Sequence, residues 1–533
     1  MPDVASPVPE RIRAAEVIAA LSLATDLGVG FELEHGLRST ILAMRLADRL
    51  AVDVETATRT YYFGLLFHVG CTADAEVAAD IFPGDGALLT DFFPVMFGSP
   101  REQFRGIRRA LASPGAGPLA RAGQVARGLP RAAGSHKAHL EAACQVGQML
   151  SDRLGVPMDV KALFPHLAER WDGKGEPGDA KGEQVPLALR ICHVARDATV
   201  QQMVGGDEHA VRTLRNRAGA AFDPDIANLL ADDWDELLAA GASTSAWDEA
   251  LASEPAPHLT LEGDAIDRAL GAMGDFADLA SPYLVGHSAG VADLAAAAAE
   301  QCHFGPGDAA TVRRAALVHD VGRVAVPVRI WQKSTPLTPD DWERVRLHAY
   351  HTERILSRSP FLAALAPVAT AHHERLDGGG YHRGTPVAGL SPPARLLAAA
   401  DAFHAMTEPR PHRAPLPPER AAEDLDLQAH AGRLDADAVA AVLEAAGQRR
   451  PHAERPAGLT GREAQVVGLL ARGLQTKQVA HVLGISTKTA DRHIQNSYAK
   501  IGVSTRAAAA LFAMQHGLAG WGELPMGTTV PRS

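Results

Sequence analysis

The sequence predicts an all-α protein, and three observations carry that prediction. Alanine is abundant while aromatic residues make up only 5% of the 533, a balance that favours helix over sheet. Apolar residues recur at helical spacing, at Ile41, Met44, Ala47 and Leu50 and again around Val291, Leu294 and Ala297, with no competing strand alternation. A long succession of helix-like blocks also occurs twice in the same order.

The first copy reads "EHGLRSTILAMRLADRL", "GLLFHVG", "HKAHLEAA", "ERWDGKG", "PLALRICHVARDA" and "FDPDIANLL". The second reads "GHSAGVADLAAAAAEQ", "ALVHDVG", "HAYHTERI", "ERLDGGG", "PPARLLAAADAFHA" and "LDADAVAAVL". The spacing from His35 to His68 is 33 residues, and that from His287 to His319 is 32. Residues 70–135 hold an insert rich in Gly, Pro and Phe, expected as a loop with short helices. The expected organisation is a first copy over 1–231, an acidic connection over 232–280, a second copy over 281–447, a linker over 448–458 and a basic module over 459–520. Prolines in "EPRPHRAPLPPERA" (408–421) break continuous helix inside the second copy.

Composition narrows the class. Cys71, Cys144, Cys192 and Cys302 are far apart and form no C-x-x-C, so they read as buried thiols of a reducing compartment. The N-terminus lacks the basic and apolar regions of a signal peptide, and no run of about eighteen apolar residues suggests a membrane span. A cytoplasmic protein without membrane contact is expected. The net charge of −11 is uneven: residues 459–520 set Arg462, Arg472, Lys477, Lys488, Arg492, Lys500 and Arg506 against only Glu463 and Asp491. A basic module on an acidic body points to a polyanion partner for that module alone.

In the second copy His287, His319, Asp320, His348, His372, His373 and Asp401 recur at block positions that are otherwise apolar. Asp320 lies between "AALV" and "VGRVAVP", and Asp401 inside "RLLAAADAFHAM". A carboxylate in such surroundings costs several kcal/mol unless a cation or hydrogen bonds compensate it. Histidine and carboxylate without thiolate suit Mn, Fe, Zn or Mg. Successive helix residues diverge by about 100°, so His372 and His373 would rarely serve one ion together but could serve two ions about 3.5–4 Å apart with Asp320 bridging. Such a pair activates water at neutral pH and steadies a phosphodiester's charge, the chemistry of a phosphohydrolase.

Residues 287–446 resemble an HD-GYP domain, a branch of the HD phosphohydrolase superfamily that hydrolyses cyclic di-GMP. "HDVGR" stands for its HD-x-G-K motif and "HHERLDGGGYH" for its HH-E-x-x-D-G-x-G-Y-P motif. The resemblance implies two HD-type helical domains and makes the seven side chains above ligands of two divalent ions, Fe or Mn before Zn or Mg. It assigns Asp320 and Arg323 to catalysis, and Arg323, Tyr381, Arg410 and Arg413 to the substrate. The sequence departs from the family at Arg323, which replaces lysine, and at His382, which replaces the proline of GYP. Position 283 is Tyr where some members carry a glutamate, which favours two metals over three. The first copy keeps His35, His68 and His136, but has Val69 for the bridging Asp, Leu167 and Ala168 for the paired histidines, and Arg196 for the final Asp. It is expected to be catalytically dead, a dimerisation or sensing module.

In the basic module, Thr460 and Glu463 form a capping box. Gly473 and Gly484 stop helices, and Ser486 and Ser504 start them. Short helices joined by Gly-containing turns match a helix-turn-helix. From "LTGRE" through "GISTKTADRHI" to "KIGVSTRAAA" the segment is similar to the four-helix LuxR-type DNA-binding domain. That resemblance places Lys488, Thr489, Arg492 and His493 in the major groove and Lys477, Lys500 and Arg506 on phosphates. A homodimer on a two-fold DNA site is expected. The combined expectation is a DNA-binding transcriptional regulator with a phosphodiesterase domain that hydrolyses or senses cyclic di-GMP. The alternatives are a non-catalytic nucleotide-sensing transcription factor and an HD phosphohydrolase acting on another nucleotide.

Overall fold

The computed structural model describes residues 11–72, 81–82, 91–113, 115–239, 245–448, 456–471, 474–503, 509, 512–513 and 518. The chain divides into two compact units, residues 1–448 and 449–533. Helices dominate the first. The one sheet among the described residues has two strands, Arg11–Arg13 paired antiparallel with Thr260–Glu262. None of the described helices is long and apolar enough to cross a membrane, and the four cysteines are unpaired.

Both copies are built from the same succession of helices. In the first these are Ala14–Val29, His35–Arg49, Val54–Leu66, Leu187–Gly205 and Pro224–Asp232. In the second they are Asp264–Asp278, His287–Gln301, Pro306–Val318, Pro392–Thr407 and Ala436–Ala445. Corresponding contacts recur. Asp26 accepts the Gly36 amide at 3.0 Å, and Asp278 accepts the Ser288 amide at 2.9 Å. Each bond ties the end of one helix to the first turn of the next, where the orphan amides need an acceptor. The residue before each of these next helices is left-handed, Glu34 at φ 78° and Gly286 at φ 82°.

The turns "ERWDGKG" and "ERLDGGG" also correspond. Glu169 accepts the amides of Gly178 and Asp179, as Glu374 accepts those of Arg383 and Thr385. Glycine is required in both turns: a Cβ on Gly175 would lie 2.5 Å from the Ala168 carbonyl oxygen, and one on Gly380 2.4 Å from the Arg375 nitrogen.

Two segments depart from expectation. Residues 232–280 do not merely connect the copies, because the helix Asp264–Asp278 opens the second copy. Its Ile266, Leu270, Met273 and Phe276 are fully buried, and acidic neighbours hide this period in the sequence. Within 70–135 the helix Pro100–Ala110 is followed by one long helix, Pro118–Arg153, which runs through Pro130. Pro130 removes one backbone donor, but the surrounding Ala, Leu and Arg keep the segment helical.

One apolar core extends through both copies. The helix Ala14–Val29 packs on the Val321–Ala325 turn that follows Asp320, and Arg358 pairs with Glu34 at 3.0 Å. The second copy's Asp320 segment is thus supported by the first.

In the second unit, Gly461–Ala471, Thr476–Val482 and Thr487–Ile501 pack around Val466, Leu470, Val479, Ala480, Ala490 and Ile494. The Thr460–Glu463 capping box is formed in both directions. Ser486 caps the third helix through the Thr489 amide at 3.1 Å. Arg472, Gly473, Ser504 and Arg506 lie outside the described residues.

Candidate metal centre

Five segments deliver the second copy's polar cluster. His287 is the first residue of its helix, His319 and Asp320 follow Pro306–Val318, and His348 lies within Pro339–Leu356. His372 and His373 follow Pro360–Ala369, and Asp401 sits in Pro392–Thr407. All are buried except His373, which is half-buried. All seven expected residues converge.

Asp320 is the hub. Its Oδ2 lies 3.0 Å from His319 Nε2 and 3.5 Å from His287 Nε2, while its Oδ1 lies 3.3 Å from His348 Nε2 and 3.4 Å from His372 Nε2. Asp401 Oδ1 stands 3.2 Å from His287 Nε2, and its Oδ2 stands 3.8 Å from His373 Nδ1. The cluster therefore has two sides, His287–His319–Asp401 and His348–His372–His373, with Asp320 between them, so the adjacent His372 and His373 share one side instead of being divided between two ions as expected.

The ring orientations are fixed from behind. The Nδ1 atoms of His319, His348 and His372 donate to the carbonyls of Ala316, Val345 and Ala369 at 2.7, 2.5 and 2.7 Å. Each acceptor lies three residues earlier, so each Nε2 lone pair is left to face the cluster.

The residues present fit divalent ions. His287 Nε2, His319 Nε2 and Asp320 Oδ1 are buried without a hydrogen-bond partner, and Asp320 Oδ2 has none beyond its ion pair with Arg323, which is costly unless a further cation sits among them. Bonds of about 2.0–2.2 Å place two donors on one ion about 3–3.5 Å apart, the spacing found around Asp320. Electrostatics agree. Burial opposes ionisation of Asp320, yet Arg323 and His319 hold its carboxyl well below the usual range. Burial pulls His319 down, but Asp320 and Asp401 outweigh it and raise the ring to about 9. Burial takes His372 down to about 4. The carboxylates thus favour positive charge on the His287 and His319 side, while burial keeps His372 and His373 neutral.

Arg323 pairs with Asp320 through Nη2, stands 5.2 Å over the Trp331 ring and has Nε and Nη1 buried without partners. Tyr381 lies against His373, ring centroids 4.6 Å apart. Arg410 reaches Glu408 at 2.9 Å and the Tyr283 carbonyl at 2.8 Å. Arg413, expected at substrate, instead donates to the carbonyls of Ala405, Met406 and Glu408. It caps the end of the Asp401 helix, where bare carbonyls attract a cation.

Sequence reasoning missed Glu408 and His404. Glu408 accepts from His287 Nδ1 at 2.9 Å, and His404 Nδ1 lies 3.3 Å from its other oxygen. Their four-residue spacing at a helix end was the available signal.

The first copy does not gather a metal cluster among its described residues. His136 is half exposed near Glu176 at 3.5 Å, away from buried His35 and His68. Val69 and Leu167 are buried, and Arg196 is 1% exposed. Its Nε donates to His68 Nε2 at 3.2 Å. Its guanidinium lies 5.3, 5.7 and 5.8 Å from the rings of Phe93, Phe97 and Phe67, while Nη1 and Nη2 have no hydrogen-bond partner.

In the second unit Lys477, Lys488 and Arg492 are exposed, and Thr489 and His493 are half-buried. Lys500, expected on phosphate, bonds Glu463 through its amine at 2.6 Å and the Gly458 carbonyl at 3.2 Å.

Comparison with known proteins agrees with this two-part architecture. Residues 272–438 match the HD domain family, and residues 457–513 match the bacterial regulatory proteins of the luxR family. The chain joins an HD domain to a C-terminal LuxR-family regulatory domain. It is 28% identical over 446 residues to the 3'3'-cGAMP-specific phosphodiesterase 3 of Vibrio cholerae, covering 81% of this chain and 94% of that protein. It is 40% identical over 122 residues to a cyclic di-GMP phosphodiesterase of Thermotoga maritima, covering 22% of this chain and 32% of that protein. A crystal structure of a cyclic GMP-AMP specific phosphodiesterase from V. cholerae aligns at 26% identity with a TM-score of 0.56, over 83% of this chain and 99% of that one.

Proposed function

We propose that this chain is a DNA-binding transcriptional regulator whose second repeat is a metal-dependent phosphodiesterase for a cyclic dinucleotide, cyclic di-GMP or 3'3'-cGAMP. The observation that carries the reading is the two-sided use of Asp320, with two histidine nitrogens near each oxygen. The named activities of the V. cholerae and T. maritima relatives supply the substrate class.

His287, His319, Asp320 and Asp401 would hold one ion, and Asp320, His348, His372 and His373 the other. A nitrogen and carboxylate donor set without thiolate suits Mn or Fe before Zn or Mg. Two such ions supply a water nucleophile at neutral pH and neutralise charge on a phosphodiester. Arg323 offers its free Nε and Nη1 to a phosphate oxygen beside Asp320, and its planar fork suits that acceptor. Tyr381 walls the His373 side, and Arg410 adds positive charge on the His287 side, beside Glu408. Lys477, Lys488, Thr489, Arg492 and His493 would meet DNA, as a homodimer on a two-fold site. Such a regulator would work in the cytoplasm.

The test incubates metal-loaded full-length protein separately with cyclic di-GMP and 3'3'-cGAMP and follows linear product by chromatography. Product from either, absent in His319→Ala/Asp320→Ala, is expected. Two bound ions without product from either dinucleotide would contradict the phosphodiesterase reading. Tight binding without product would favour a nucleotide-sensing transcription factor, a reading motivated by the Arg323 guanidinium already paired with Asp320.

A further inference from the structure

We infer that Glu408 is a positioning residue of the metal centre: it orients His287 and joins that ligand to Arg410. The inference rests on the proposed metal-binding role of the second repeat and goes beyond its ligand set.

Three of the cluster's histidines are oriented by a backbone carbonyl three residues earlier. His287 differs because it opens its helix, and the Leu284 carbonyl at that offset accepts the His287 amide at 2.9 Å. Its Nδ1 turns instead to the Glu408 carboxylate, 121 residues away in sequence. A carboxylate behind an imidazole strengthens the ring as a donor more than a carbonyl does, because it stabilises positive charge as the ring gives up its lone pair.

Glu408 is itself held on several sides. Arg410 Nη2 donates to the same Oε2 at 2.9 Å, and Arg410 Nη1 donates to the Tyr283 carbonyl, four residues before His287. One guanidinium thereby links the segment after the Asp401 helix to the segment before the His287 helix. His404 Nδ1 stands 3.3 Å from Glu408 Oε1. Gly290 makes room for that ring: a Cβ at 290 would lie 2.1 Å from His404 Nε2. The carboxylate is half-buried in this frame, and its charge is matched by Arg410.

The experiment strips full-length protein of metal and titrates it with Mn(II) against a chelating dye, for wild type, Glu408→Ala and Glu408→Gln. Wild type is expected to take two ions. Glu408→Ala should weaken one of them by about 10–100-fold and leave the other near wild type. Glu408→Gln should fall between, because its amide oxygen still accepts the Nδ1 proton. A purely structural role would shift the melting of metal-free protein without separating the two affinities. Glu408→Ala or Glu408→Gln taking both ions with wild-type affinity would overturn the inference and leave the metal centre standing. Wild type taking no Mn(II) would overturn the metal-centre reading, and this inference with it. The near-isosteric Glu408→Gln keeps the test valid should the alanine variant fail to fold.

Discussion

The two repeats keep one scaffold and solve opposite charge problems. In the second, Asp320 and Asp401 place carboxylates among imidazoles, and the buried atoms left without hydrogen-bond partners include the ring nitrogens of His287 and His319 and the Asp320 oxygens, beside two nitrogens of Arg323. In the first, Val69 has removed one carboxylate and Arg196 has replaced the other, so the buried group lacking partners is a cation. Three phenylalanine rings surround it, offering the negative faces of their π systems. Asp26, Glu34, Glu169 and Gly175 nevertheless make the contacts that Asp278, Gly286, Glu374 and Gly380 make in the second copy. The helix junctions and the glycine turn are thus the same in the repeat that lacks the histidine and aspartate cluster. The scaffold does not need the cluster in order to fold.

The two repeats differ most in consequence at Asp320. Asp320→Ala removes acceptors from both sides of the cluster and should lower turnover of the cyclic dinucleotide by about 10³-fold or more, read as initial rates at saturating substrate. Retained turnover would contradict the two-sided hub.

The matching change in the first repeat is Arg196→Asp. It places an unpaired carboxylate among Phe67, Phe93 and Phe97 and should cost about 3–5 kcal/mol of stability, measured by denaturant unfolding. Added divalent ions should not restore it, since neither Val69 nor Leu167 is a ligand. Recovery with metal would reveal a latent site in the first copy.

The glycine turns sharpen the contrast. Gly175→Ala and Gly380→Ala each force a Cβ onto backbone atoms and should each cost about 1–3 kcal/mol. Only Gly380→Ala should also lower turnover, because its turn carries Tyr381 to His373. Equal losses of activity would mean that the first repeat's turn also shapes the site.

The smallest expected effect is a pH slope. Burial first, and then the Arg196 charge, lowers His35 from 6.5 to about 3. The unfolded chain therefore takes up a proton below pH 6.5 that the folded chain refuses until near pH 3. Stability falls as pH drops through that window. His35→Phe should flatten the fall by up to about 1.4 kcal/mol per pH unit, measured as unfolding free energy between pH 6.5 and pH 4. An unchanged slope would place His35 in contact with solvent.

Much of this was legible in the sequence because chemistry and periodicity repeat locally. The helical period, the ordered blocks and the spacing of histidines and aspartates announced an all-α tandem repeat with a clustered site in the second copy. Three kinds of feature were hidden. The helix Asp264–Asp278 looked like acidic connection because its apolar stripe sits among charges, and the Gly-, Pro- and Phe-rich segment 70–135 read as a loop with short helices although the long Pro118–Arg153 helix begins inside it and runs through Pro130. Arg413 and Lys500 looked free to meet phosphate, but three-dimensional neighbours occupy them: a helix's terminal carbonyls for one, and Glu463 for the other. Glu408 was missed because its partner is 121 residues away, and only folding makes them neighbours.

The central claim is that the protein's metal chemistry resides wholly in the second repeat. Its most direct test is metal content after loading with Mn(II) and desalting, for wild type, His319→Ala/Asp320→Ala and His35→Ala/His68→Ala. The account predicts two ions per chain in wild type, none in the second-repeat variant and two in the first-repeat variant. Ions retained when His319 and Asp320 are removed, or lost when only His35 and His68 are removed, would contradict it.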